Sequence, residues 1–116
     1  CQYIKKQVPG ANNLAGRTSI AETIQLMSTA TVLVCNDSGA MHMASVVGLP
    51  TVSIFGPTTL ALGYRPWNDN AVVVQKSLSC RPCSAHGTKK CPLKTHACMQ
   101  DISSADVLAA VQSLDV

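Results

Sequence analysis

The chain has 116 residues, 47% of them hydrophobic, and a formal net charge of +3. That length holds one domain with a modest core, and no apolar run approaches the roughly 18 residues that span a bilayer, so the chain reads as soluble. Its aromatic residues are Tyr3, Phe55, Tyr64 and Trp67, too small a supply for a platform that stacks single-stranded nucleic acid.

In chain order, residues 2–13 are weakly patterned and turn-rich, with Pro9-Gly10 and Asn12-Asn13 as breaks. No basic stretch followed by an apolar one opens the chain, so no signal peptide is expected. It starts at Cys1 rather than Met, with no periodic element before Pro9, and we read it as part of something longer. Leu14-Ala15-Gly16 reads as a short strand end. Ser19 and Glu22 stand at capping-box spacing, in which each side chain takes an orphan helix amide. Ile20, Ile24 and Met27 then form one face of a helix ending near Ala30.

Residues 32–34 are apolar and mostly β-branched, too short a run for a helix, and predict a buried strand. Asn36-Asp37-Ser38-Gly39 suits a tight turn and a helix N-cap. Ala40, Met43, Ala44 and Val47 recur at helical spacing until Gly48 and Pro50 stop the helix. The apolar run at residues 51–55 should pair parallel to the first strand through a right-handed crossover. Gly56-Pro57-Thr58-Thr59 ends it at the same edge of the sheet. Pro66 and Trp67 fall in a loop, residues 71–74 predict a third strand, and residues 80–98 form a Cys-rich loop. Ser103 or Ser104 leads a closing helix within residues 101–114, with Val107, Leu108, Val111 and Leu114 as its face. Strands alternating with helices predict an α/β fold with a parallel sheet.

Open α/β sheets bind ligands beyond the carboxyl ends of their strands. With Ser38 as N-cap, the amides of Gly39, Ala40 and Met41 face that position, and the helix dipole favours an anion there. Phosphate is the expected ligand. Each residue also has a plainer reading: His42 simply hydrogen-bonded, Asp37 a turn or capping residue, Gly39 a relaxed turn, and Gly56-Pro57-Thr58 a strand terminator.

Cys80-x-x-Cys83, Cys91 and Cys98, with His86 and His96 nearby, contain the ingredients of a tetrahedral zinc site. The second half does not repeat the C-x-x-C knuckle, so reduced thiols or a disulfide stay open beside metal. Cys1 and Cys35 look unconnected to the cluster, and Cys35 reads as packed at a strand end. Arg81, Lys89, Lys90 and Lys94 share this loop with no acidic residue, a basic stretch that either faces phosphates or is solvated.

The run Leu14-Ala15-Gly16-Arg17-Thr18-Ser19, then Asn36-Asp37-Ser38-Gly39-Ala40-Met41-His42, then Phe55-Gly56-Pro57-Thr58, resembles the carboxyl-terminal domain of ADP-heptose:lipopolysaccharide heptosyltransferases. Cys98-Met99-Gln100-Asp101-Ile102 also looks like a segment of many members, so the resemblance runs from about Asn13 to the end. It implies a Rossmann-like parallel sheet with flanking helices, part of the carboxyl-terminal domain of an inverting GT-B glycosyltransferase, with residues 1–116 as one partial nucleotide-sugar-binding domain. By the same resemblance Ser38, Gly39, Ala40 and Met41 hold the donor's phosphates. His42 offsets charge on the departing nucleoside diphosphate, Asp37 accepts from sugar hydroxyls, and Thr18 lies near the nucleoside. The general base is expected in an amino-terminal domain absent from this chain, so no catalytic residue is assigned here and the chain alone is expected to be inactive.

The implied partners are an ADP-heptose donor and a lipopolysaccharide core acceptor, with no nucleic acid. The implied place is the cytoplasm, in peripheral contact with the inner membrane, and the chemistry needs neither metal nor cofactor. A zinc-stapled basic module contacting nucleic acid or another polyanion through residues 80–98 is the alternative. That loop has no aromatic residue and no zinc-finger spacing, which disfavours it. A nicotinamide-dependent dehydrogenase ranks last, because no G-x-G-x-x-G follows the first strand.

Overall fold

The computed structural model describes residues 1–116. Strands β1 (Leu33–Asn36), β2 (Thr51–Phe55) and β3 (Ala71–Gln75) form a parallel sheet in the order β1-β2-β3. The α/β prediction holds. Leu33 pairs with Thr51 and Asn36 with Ile54, while Phe55 pairs with Gln75. This register brings all three carboxyl ends to one edge. The first strand starts one residue later than expected and runs through Asn36, because its pairing continues into the turn: the Asp37 N–H donates to the Ile54 carbonyl at 3.0 Å. It is also less buried than its apolar run suggests. Val34 is 45% exposed, since β1 is an edge strand whose residues alternate between covered and open faces.

β2 is the buried centre, with Thr51, Val52, Ser53 and Phe55 fully enclosed. Its alternation separates Val52 from Thr51, Ser53 and Phe55. Val52 packs with Ala110 and Leu114, surrounded by Val32, Val72, Val74, Val107 and Val111. The hydroxyls on the other face are accommodated locally. Thr51 donates to the Leu49 carbonyl at 2.7 Å, and Ser53 lies 3.9 Å from the Cys35 sulfur. Cys35 is half-buried, as expected of a packed strand-end thiol, and burial pushes its thiol up.

The helices depart from the sequence reading in several places. Helix α1 (Gln2–Gln7) forms inside the stretch read as turn-rich, where the break falls only at Pro9-Gly10. Leu14-Ala15-Gly16 is a turn and not a strand end: the Arg17 N–H reaches the Leu14 carbonyl, and Gly16 takes a positive φ of 72°. Helix α2 (Ile20–Met27) has the expected capping box, with the Glu22 N–H donating to the Ser19 hydroxyl and the Ser19 N–H to the Glu22 carboxylate. Ile20 is 72% exposed, Ile24 and Met27 are half-buried and no residue of the helix is fully buried, and the helix stops before Ala30. Helix α3 (Gly39–Val46) packs against both β1 and β2. That position buries Met41 and Ala44 completely, leaving Ala40, Met43 and Val47 at its margins.

A one-turn helix, α4 (Ala97–Gln100), begins at the end of the Cys-rich loop, and a 3-10 turn covers Leu60–Leu62; neither has a sequence signal long enough to read. Helix α5 (Ser104–Gln112) is led by Ser103, whose hydroxyl accepts from the Asp106 N–H. Ala110 takes the buried position expected of Leu108, which is 57% exposed; a methyl side chain lets the helix lie close to the valines of β2 and β3.

Arg81 joins the Cys-rich loop to the sheet edge. Its guanidinium donates to the carbonyls of Gly56, Thr58 at 2.6 Å and Lys76, and to the Gln75 side chain at 3.0 Å. These are carbonyls left without partners where β2 and β3 end. The Cys83 N–H adds a bond to the Pro57 carbonyl at 3.0 Å. Since hydrogen bonds to a charged donor are the stronger kind, Arg81→Ala should lower unfolding free energy by about 3 kcal/mol, read by denaturant unfolding. Arg81→Lys should recover less than half, because an ammonium cannot span the same set of acceptors.

The Asp106 carboxylate accepts from the Ser103 N–H at 2.8 Å and from Lys76 at 3.0 Å, and chiefly through the Ser103 amide its carboxyl is held down at about 2. A depressed carboxyl stabilises the fold above its unfolded value, near 3.9, and the contribution disappears as pH falls from there through about 2. Thermal unfolding across pH 2–7 should show this acid loss in the parent protein. Asp106→Asn should be less stable at pH 7 and lose less between pH 4 and 2.

Candidate functional site

Two turns leave the sheet at the carboxyl edge and meet there. The first is Asp37-Ser38 between β1 and α3; the second is Gly56-Pro57-Thr58 after β2. They are joined by one hydrogen bond, from the Thr58 hydroxyl to the Asp37 carboxylate at 2.5 Å. Thr58 is buried and Asp37 half-buried, so this bond fixes the carboxylate from behind. The Thr58 turn, which reads equally well as a strand terminator, is therefore part of the site's wall.

Ser38 is the N-cap of α3 as expected, with extended backbone, but its hydroxyl does not cap the helix. The hydroxyl is left facing outward with the first-turn amides of Gly39 and Ala40, which have no intrahelical acceptor. Met41 departs from the expectation in two ways: its N–H returns to the Ser38 carbonyl at 3.1 Å, and its side chain is core. Its contribution to the site is to anchor the helix start. His42, one turn on, is half-exposed on the same side.

Asp37, Ser38, Gly39 and His42 form one wall of a cavity of about 240 Å³, with Thr58, Tyr64 and His86 completing it. A second recess of about 160 Å³ shares Asp37, Thr58 and His86 and reaches Gly56 and Met99. Thr18 lines neither. It sits ahead of α2, with its hydroxyl 3.0 Å from that of Thr23, so four of the seven sequence-predicted residues, Asp37, Ser38, Gly39 and His42, line the cavity, while Ala40 and Met41 stand behind them in α3 and Thr18 lies apart.

A larger cavity of about 450 Å³ lies between residues 59–61 and 75–78 with Arg81. Its two cations are already committed, Arg81 to backbone carbonyls and Lys76 to Asp106. Size alone does not make it the better site.

The Cys-rich loop supplies residues that sequence reasoning missed. It docks on the second turn by close backbone approach. A Cβ at Gly56 would stand 2.5 Å from the Met99 sulfur, and one at Gly87, whose φ is +74°, would stand 3.0 Å from the Pro57 ring. This docking brings His86 to the cleft, where its Nδ1 lies 3.2 Å from the Tyr64 hydroxyl. His86 stood out in the sequence only as a candidate metal ligand. No three His, Cys, Asp or Glu side chains in the chain converge as ligands, so the zinc-staple geometry is not formed.

The four loop thiols are free and half-buried. Burial first, then the neighbouring Cys83 thiol, pushes Cys98 up against the pull of Arg81. Cys91 is lowered, chiefly by the His96 N–H that donates to its sulfur at 3.4 Å.

What this arrangement can do is bind an anion at the start of α3 and take hydrogen bonds from a polyol at Asp37. The family model for glycosyltransferase family 9 (heptosyltransferase) matches residues 2–94. Lipooligosaccharide heptosyltransferase 2 of Campylobacter jejuni serotype O:6 is 38% identical over 114 residues, covering 97% of this chain and 35% of that protein. Lipooligosaccharide heptosyltransferase 2 of Haemophilus influenzae is 38% identical over 63 residues, 54% of this chain and 18% of the relative. Lipopolysaccharide heptosyltransferase 2 of Escherichia coli K12 is 35% identical over 54 residues, 47% and 16% of the two chains. No solved structure matches. The chain thus spans about a third of the length of its Campylobacter relative, and the family match covers most of it. The chain belongs to glycosyltransferase family 9, the heptosyltransferase family.

Proposed function

We propose that this chain is the donor-binding part of an inverting glycosyltransferase that moves a heptose from ADP-heptose to the inner core of lipopolysaccharide. The observation that carries the reading is the single cleft shared by the Asp37–His42 turn and Thr58 at the carboxyl edge of the sheet. A helix start, a free serine hydroxyl and an imidazole suit a diphosphate. A carboxylate held by a buried threonine suits the hydroxyls of a sugar.

In this reading the Ser38 hydroxyl and the Gly39 and Ala40 amides hold the diphosphate, with Met41 anchoring the turn. An acceptor hydroxyl attacks the anomeric carbon as the bond from that carbon to the diphosphate oxygen breaks in line, inverting configuration. The acceptor proton goes to an aspartate base in an amino-terminal domain. Negative charge grows on the leaving ADP, and His42 donates to it as it forms. Asp37 orients the heptose through its hydroxyls. Thr18, outside the cleft, would approach only the nucleoside end of the donor. In this reading the reaction takes place in the cytoplasm, in peripheral contact with the inner membrane that carries the acceptor.

Calorimetric titration of ADP into the full-length protein at low salt tests this. His42→Ala should weaken binding about tenfold, the equivalent of one charge-assisted hydrogen bond at about 1.4 kcal/mol. Equal affinity in the two proteins would return His42 to a purely structural part, and tighter binding of NAD than of ADP would overturn the donor assignment.

A further inference from the structure

We infer that His86, delivered by the Cys-rich loop, is a donor-contacting residue that holds the diphosphate from a second wall of the cleft. This rests on the nucleotide-sugar reading of the site and extends it to a loop with no assigned part in binding.

The cavity of about 240 Å³ has two imidazoles on its walls, His42 from α3 and His86 from the loop. They come from elements 44 residues apart in sequence, and the loop's docking is what brings them to one space. Gly87 is the residue that permits it: its positive φ and its missing Cβ let the backbone beside His86 lie against Pro57 and Thr58. The ring is also held. Tyr64 bonds Nδ1 at 3.2 Å, with its ring 6.0 Å away at a tilt of 48°.

With Nδ1 engaged, Nε2 is the ring nitrogen left for a ligand, and when Nδ1 accepts the tyrosine hydroxyl hydrogen, Nε2 carries the other hydrogen as a donor. A donor fixed in this way suits an anion and costs little ordering when the ligand arrives. Asp37 is the one carboxylate on the cavity's walls, and it already accepts the Thr58 hydroxyl. The remaining polar groups there are hydroxyls, the Gly39 amide at the helix start and the two imidazoles. That set matches the diphosphate better than the sugar. His86 also lines the adjoining recess with Asp37 and Thr58, so its ring stands where the diphosphate end of the donor meets the sugar end.

The test is ADP binding by the full-length protein carrying His86→Ala, His86→Gln or Tyr64→Phe, beside His42→Ala. The inference expects about tenfold weaker binding for His86→Ala, partial recovery in His86→Gln through its amide donor, and a smaller loss in Tyr64→Phe. It also expects the His86 ring resonances in a heteronuclear spectrum of the parent protein to shift on addition of ADP, a readout that does not depend on any variant folding. Unchanged affinity in His86→Ala, with unshifted His86 resonances and a loss in His42→Ala, would overturn this inference and leave the donor reading standing. A parent protein that binds no ADP would overturn both.

Discussion

β2 is paired in parallel on both sides, with β1 over residues 51–54 and with β3 over residues 51–55. Parallel pairing leaves no freedom about where its neighbours end: Asn36, Phe55 and Gln75 finish at one edge, and the chain must turn away from the sheet there three times. Each turn exposes backbone groups that the ladder no longer satisfies. The site and the loop that borders it are two answers to that demand. On the β1 side the unpaired amides at the start of α3 remain available to a ligand. On the β2 and β3 side Arg81 takes the unpaired carbonyls for the fold. Donors are left open and acceptors are closed, which is why this edge favours an anion.

The Cys-rich loop depends on that division. None of its residues from 80 to 98 is fully buried, and its one regular element is the start of α4. It has no core of its own and is held by polar bonds and close approach: the Arg81 guanidinium, the Cys83 amide on Pro57, and glycines at positions 56 and 87 where a side chain would meet its neighbour. Fixing the loop also fixes His86. The structural and the binding parts of the loop are therefore separable by residue, Arg81 for the first and His86 for the second.

Much of this was legible one segment at a time. The capping box at Ser19-Glu22, a serine at 103 or 104 leading the last helix, the apolar runs of β2 and β3 and the Gly48-Pro50 stop all act over a few residues, and the structure follows them. Local pattern misled where position in the sheet mattered more. Val34 has the composition of a buried strand but lies on an edge strand, and Leu108 has the period of a buried face while Ala110 makes the closer contact. Ile20 has the right spacing, yet it stands at the first helical position and is exposed.

By itself the sequence determined the order of the three strands and of α2, α3 and α5, the turn at Asp37-Ser38-Gly39 and the placing of His42 one helical turn later, because helix and turn geometry relate residues only three or four apart. It also carried the motifs that mark the family. Only the tertiary structure decided that Thr58 braces Asp37 across 21 positions, that Arg81 closes the ends of β2 and β3, and that His86 and Tyr64 share a cleft with His42 while Thr18 does not. Those relations depend on the parallel register and on how one irregular loop folds back over the sheet edge, and neither leaves a period in the sequence.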